Sequence, residues 1–184
     1  MIKKTVSMIM AMSILLITVA FGYSTTVSAY SYAGYCWDTS AVSYDVSGIS
    51  SSSWKNAIHN AADTWNSAGA DFDFYYSSYS DNDWTTDNLG NNNMAAFTTT
   101  SVIGGTEIDE CDTVINTYYD FYTNGSDNYD VETVALHEFG HWLCLNDISN
   151  IWDYFSTMYY TYKGVDRTLA LDDKNGIKSI YGSD

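Results

Sequence analysis

The feature that most limits what this chain can become is His137-Glu138-Phe139-Gly140-His141, set within TVALHEFGHWLCLND over residues 133–147. The surrounding Val134, Ala135, Phe139, Trp142 and Leu143 predict a buried helix from Val131 to about Leu143. Histidines four apart on a helix project from one face about one turn apart, a separation that suits two ligands of a single zinc ion. Glu138 lies beside that face, where it can take a proton from an attacking water and deliver it to a leaving amine. Chance is a poor explanation, because burying two imidazoles without partners costs stability and no core gains from it. Spacing leaves the third ligand open, since Cys144 shares the helical face of His137 and His141. A thiolate there would have to reach back a turn, and sulfur donors are more usual in structural zinc sites.

The chain opens with Lys3 and Lys4, an apolar run through Phe21, and polar residues ending in Val27-Ser28-Ala29. This order predicts a secretory signal peptide over residues 1–29, cleaved after Ala29, with residues 30–184 as one mature catalytic domain. A membrane anchor is the rival reading, since the apolar run nearly reaches spanning length. The small residues before position 30 and the lack of a charged stop favour cleavage. The formal charge is −16 at pH 7, and loss of two leader lysines makes it more negative. Such a surface argues against nucleic acid and anionic membranes as partners. It can recruit divalent cations or simply keep an exported, monomeric protein soluble.

Along the chain, VSYDVSG (residues 42–48) alternates as a strand, and Trp54, Ile58, Ala61, Ala62 and Trp65 fall at helical spacing before Gly69. His59 on that helix reads as structural. DFDFYYSS, MAAFTTT and DTVINTYYDF read as strands, and DNDWTTDNLGNNN as an Asp/Asn-rich loop. TLALDDKNGIKSIYG predicts a last helix capped by Asp172 or Asp173 and ended at Gly182. Three cysteines, Cys36, Cys111 and Cys144, allow one intramolecular bridge. A strand starting near Cys111 and a helix ending at Cys144 bring their outer ends together, which favours that pair and leaves Cys36 free.

VETVALHEFGH is very similar to the active-site helix of the matrixins, a group of metzincin metalloproteases. STMYY resembles their methionine turn beneath the zinc, and LDDKNGIKSIYG resembles their closing C-terminal helix. The resemblance spans roughly residues 42–182 and is strongest over 131–160. It implies a zincin-like α+β fold: an about five-stranded, mixed, twisted sheet with three helices, one of them carrying the zinc motif. It also implies one catalytic zinc on His137 and His141, Glu138 as general base and acid, and Met158 as a floor under the metal. The family pattern puts the third ligand at Asp147, an aspartate resembling that of snapalysin-type secreted bacterial proteases, and a carboxylate oxygen suits zinc.

The implied activity is secreted endopeptidase cleavage of a protein or peptide substrate, extended along an edge strand such as MAAFTT. A zinc-binding, inactive homologue serving as an extracellular binding protein is the alternative; the retained Glu138 favours the enzyme. Tyr160, two residues after Met158, resembles a tyrosine of astacins and serralysins that donates to the developing oxyanion; among seventeen tyrosines, a packing role stands beside that reading. Asp81, Asp83 and Asp87 suggest a calcium site of the kind matrixin domains carry, and a solvated acidic loop explains them equally well. Too few histidines remain for a structural zinc. Cys144 departs from the family glycine that lets the chain turn with positive φ, and Asn146 is a candidate to supply the left-handed residue instead. Cys36 lies too near the first strand, and lacks the Pro-Arg-Cys-Gly context, to be an inhibitory propeptide cysteine.

Overall fold

A computed structural model describes residues 30–125 and 128–183. The expected leader, residues 1–29, lies outside the described residues. Strand β1 (Ser31–Tyr32) is followed by β2 (Ala41–Tyr44), where alternation buries Val42 and Tyr44. Helix α1 (Ser52–Asn66) then turns its stripe of Ala57, Ile58, Ala61, Ala62 and Trp65 inward, and the chain returns as β3 (Asp73–Tyr76), parallel to β2.

Strands β4 (Trp84–Asp87), β5 (Ala96–Ile103) and β6 (Glu107–Asn116) form a second group, with β4 parallel and β5 antiparallel to β6. A bridge joins the groups: Asp45 N–H donates to Asn82 O at 2.9 Å, and Trp84 N–H donates to Asp45 O at 2.9 Å. The strands therefore lie side by side as β3-β2-β4-β6-β5, a mixed arrangement in an α+β fold. The sequence TTD within an Asp-rich stretch reads as loop, yet β4 is a strand. Its ladder to β6 and the fully buried Trp84 outweigh the weak local propensity.

Strand β7 (Phe121–Tyr122) pairs with β8 (Tyr129–Asp130), which leads into α2 (Val131–Trp142). Asp130 caps α2, its Oδ1 accepting from Thr133 N at 2.9 Å. Arg167 Nη2 meets the other carboxylate oxygen at 2.6 Å and balances a charge that is fully buried. Burial alone would raise the Asp130 pKa, but the Arg167 and Thr133 hydrogen bonds hold it below the usual range. Helix α2 packs against α1, with Trp65 Nε1–H donating to Leu136 O at 2.8 Å. Phe139 and Trp142 settle among Trp84 and Phe74. Full burial of such rings contributes about 1.5–3 kcal/mol each.

After α2, β9 (Leu145–Asn146) pairs antiparallel with β1, a 3₁₀ turn covers Ile151–Asp153, and α3 (Leu171–Tyr181) closes the chain. The residue at the N-cap of α3 is Ala170, and neither Asp172 nor Asp173 holds that position. Asp173 lies inside the first turn and accepts from Ala170 N at 2.9 Å. The favoured Cys111–Cys144 bridge is not formed, and all three cysteines are free. Cys111 Sγ faces Thr100 Oγ1, while Cys144 Sγ lies 3.0 Å from the Tyr181 hydroxyl. No helix of the described residues is long and apolar enough to cross a membrane.

Candidate metal centre

Helix α2 supplies His137 and His141 one turn apart, their rings edge to face at 4.9 Å between centroids. Each ring is aimed by its Nδ1, at 2.8 Å from Thr157 O for His137 and 2.8 Å from Leu145 O for His141. A backbone carbonyl can only accept, so both Nδ1 atoms carry the proton and both Nε2 atoms keep a lone pair. The two Nε2 atoms converge on Asp147 Oδ1, at 3.1 and 3.8 Å. One donor atom from each residue lies within 4.8 Å of the others, and this is the one such group among the described residues. Two imidazole nitrogens and a carboxylate oxygen, partly exposed on one side, fit a zinc ion with an open position.

The electrostatics match. Burial works against the charged form of His137, but the Asp147 carboxylate and neighbouring Glu138 raise its pKa above the ordinary value. Burial likewise works to raise the Asp147 pKa, and the two histidines lower it below its usual range. The cluster thus favours positive charge at its centre.

Asp147 reaches the histidines because the chain reverses at once after α2. Cys144 takes φ 70°, and its N–H donates to His141 O at 2.9 Å. The candidacy of Asn146 for the left-handed residue is corrected: Asn146 is in β9, paired with Ser31. Cys144 is also buried and directed at Tyr181, away from the two imidazoles, so it is outside the donor group.

Beneath the site, Gly140 permits a contact that a side chain would block, since a Cβ there would overlap Met158 Sδ. Met158 is buried, and its carbonyl accepts from Ile148 N at 2.9 Å, while Tyr160 N–H donates to Ile148 O at 3.0 Å. Those bonds fix the residue next to Asp147. Asp173 holds the turn from below, accepting from Ser156 Oγ at 2.5 Å and Thr157 N at 2.9 Å.

Glu138 is nearly buried and shares the same cleft. Its Oε2 accepts from Thr98 Oγ1 at 2.8 Å; Thr98 lies 2.7 Å from Thr113 Oγ1, which accepts from Trp142 Nε1 at 2.8 Å. This relay from β5 and β6 orients the carboxylate, and nothing in the spacing of Thr98 or Thr113 in the sequence signals it. The cleft encloses about 780 Å³, with the free edge of β5 at Ala96–Thr98 along one side and Tyr160 on its wall. The Tyr160 side chain is exposed. Asp81, Asp83 and Asp87 form no comparable donor group among the described residues. His59 is structural, its Nδ1 2.6 Å from the Tyr44 hydroxyl.

The sequence model described as Matrixin matches residues 36–182. No curated protein matches the chain.

Proposed function

The chain belongs to the matrixin family of zinc metallopeptidases, and on that premise we propose that it is a secreted, monomeric endopeptidase. The observation that carries this reading is the convergence of His137, His141 and Asp147 in one cleft with the oriented carboxylate of Glu138. His137, His141 and Asp147 would hold zinc. When bound, zinc supplies a Lewis acid that polarises the scissile carbonyl and makes water a nucleophile near neutral pH.

The remaining work falls to the chain itself. The free edge of β5 receives an extended substrate through backbone hydrogen bonds. Glu138, held through Oε2 by Thr98, takes the water proton on its other oxygen and passes it to the departing amine. The Tyr160 hydroxyl, on the cleft wall, donates to the oxyanion as the carbonyl becomes tetrahedral. We assign no calcium to the acidic loop.

The test is Glu138→Ala, which removes the proton carrier and leaves every proposed ligand in place. It should keep its zinc and lose about 10²-fold or more in casein hydrolysis, and a chelator should abolish wild-type clearing. Zinc-loaded wild-type protein that hydrolyses nothing would make the alternative, an extracellular zinc-bearing binding protein, the correct reading.

A further inference from the structure

A row of aromatic rings leads out of the cleft. Tyr159 and Tyr160 line it, with ring centroids 5.0 Å apart. Tyr159 meets Tyr154 at 5.2 Å, and Tyr154 meets Phe155 at 5.5 Å. Beyond them the 3₁₀ turn and the residues just after it present apolar side chains to water: Trp152 is 87% exposed, Phe155 78% and Ile151 67%. Leaving such groups in water forgoes about 1.5–3 kcal/mol each, and contiguous exposed apolar surface marks a binding face.

The turn that presents these rings is well held. Asn150 Oδ1 accepts from Trp152 N at 3.2 Å, and Asp153 N–H and Ser156 N–H donate to Asn150 O and Asp153 O at 2.9 Å each. Lys163 Nζ donates to Ser156 O at 2.7 Å and sits 5.6 and 5.9 Å from the ring centroids of Tyr154 and Tyr159. The backbone that carries these side chains is therefore ordered before anything binds, which lowers the entropy cost of binding.

Charge selects the occupant. Lys163 is engaged by Ser156 O and the rings of Tyr154 and Tyr159, no Lys or Arg occurs between Cys144 and Tyr162, Asp153 lies in the exposed turn, and the chain carries −16 overall. Anionic membranes and a second copy of this chain are both repelled. The row is continuous with the cleft, and its three steps of 5.0–5.5 Å span at most about five residues of extended chain at ~3.3 Å each. Resting on the peptidase reading, we propose that Ile151, Trp152 and Phe155 form an accessory surface that binds an apolar, net-basic segment of the substrate polypeptide, within about five residues of the part of the cleft at Tyr160.

The test compares wild type with the double variant Trp152→Ala/Phe155→Ala on two quenched fluorogenic substrates. One is a hexapeptide centred on a cleaved bond; the other is the same hexapeptide extended on both sides by ten residues rich in Leu, Phe and Lys. The double variant should raise KM for the extended substrate about tenfold with kcat unchanged. Its kcat/KM on the hexapeptide should stay within about twofold of wild type, which also shows that it is folded. Equal kinetics of variant and wild type on the extended substrate would overturn the proposal while leaving the peptidase reading intact. Wild type inert on both substrates would end both. A Trp152-dependent fluorescence shift with phosphatidylcholine vesicles but not with the extended peptide, or a Trp152-dependent dimer in sedimentation, would reassign the surface to a lipid or to a second copy.

Discussion

Residues 151–155 and 156–158 are consecutive in one connection, yet they are built in opposite ways. Ser156 and Met158 are buried, and Asp173 accepts from the Ser156 hydroxyl, Thr157 N and Met158 N. Trp152, a few residues earlier, stands in water on a turn that bonds mainly to itself. The difference follows what each segment touches. Thr157 O orients His137, and Met158 O anchors Ile148 beside Asp147, so any error of shape in 156–158 passes directly to the donor atoms. In the exposed arc the same error reaches no donor atom directly and moves side chains that mostly face solvent. Hydrogen bonds to distant elements are concentrated where atomic position matters, and the neighbouring arc is free to vary in what it presents.

The sharpest way to break this comparison is at the donor atoms. Asp147→Ala should weaken zinc binding by more than the roughly 10–100-fold that loss of a ligand's hydrogen-bond partner costs, whereas Asp147→His should retain substantial zinc. Zinc stoichiometry of the purified variants decides it, and full zinc in Asp147→Ala would remove the reason for a rigid turn. Next comes the clamp itself. Asp173→Ala strands a buried hydroxyl and two backbone N–H groups and should cost about 3 kcal/mol in urea unfolding.

A smaller effect is expected at Cys144→Gly. Relief of the left-handed backbone, about 1 kcal/mol, opposes loss of a buried side chain, so stability should change by less than about 1 kcal/mol with zinc retained. Zinc loss in that variant would return Cys144 to the donor set. Smallest of all, Trp152→Ala should shift stability by no more than about 0.5 kcal/mol. A loss there equal to that of Asp173→Ala would erase the contrast between the two segments.

What could be read from the sequence follows how local each signal is. The zinc helix declares itself because His137, Glu138 and His141 lie within five residues at helical spacing, amid apolar neighbours that report its burial. Helix α1 and the alternation of β2 and β3 are legible for the same reason. Strand β4 is not, because its short polar TTD becomes a strand only through a partner that follows some thirty residues later. Thr98 and Thr113 are silent, since a hydroxyl gives no periodic signal and their target arrives from another element. The reversal after α2 is misplaced by local propensity. Asn146 has the better intrinsic tolerance of positive φ, but its pairing with β1 claims it for a strand, and the turn falls on Cys144.

The contact between Cys144 and Tyr181 ties the end of the metal helix to the last residue of α3. Burial pushes the Cys144 and Cys111 thiols up to about 12, so neither is a nucleophile in the folded protein at neutral pH. Each becomes one when its surroundings part. The rate at which a thiol reagent consumes Cys144 is therefore a clock for the separation of α3 from the metal helix, and that of Cys111 a clock for the opening of the central sheet. Run together, with half-buried Cys36 as the baseline, the two clocks time which seam of the domain gives way first, using reporters the chain already carries.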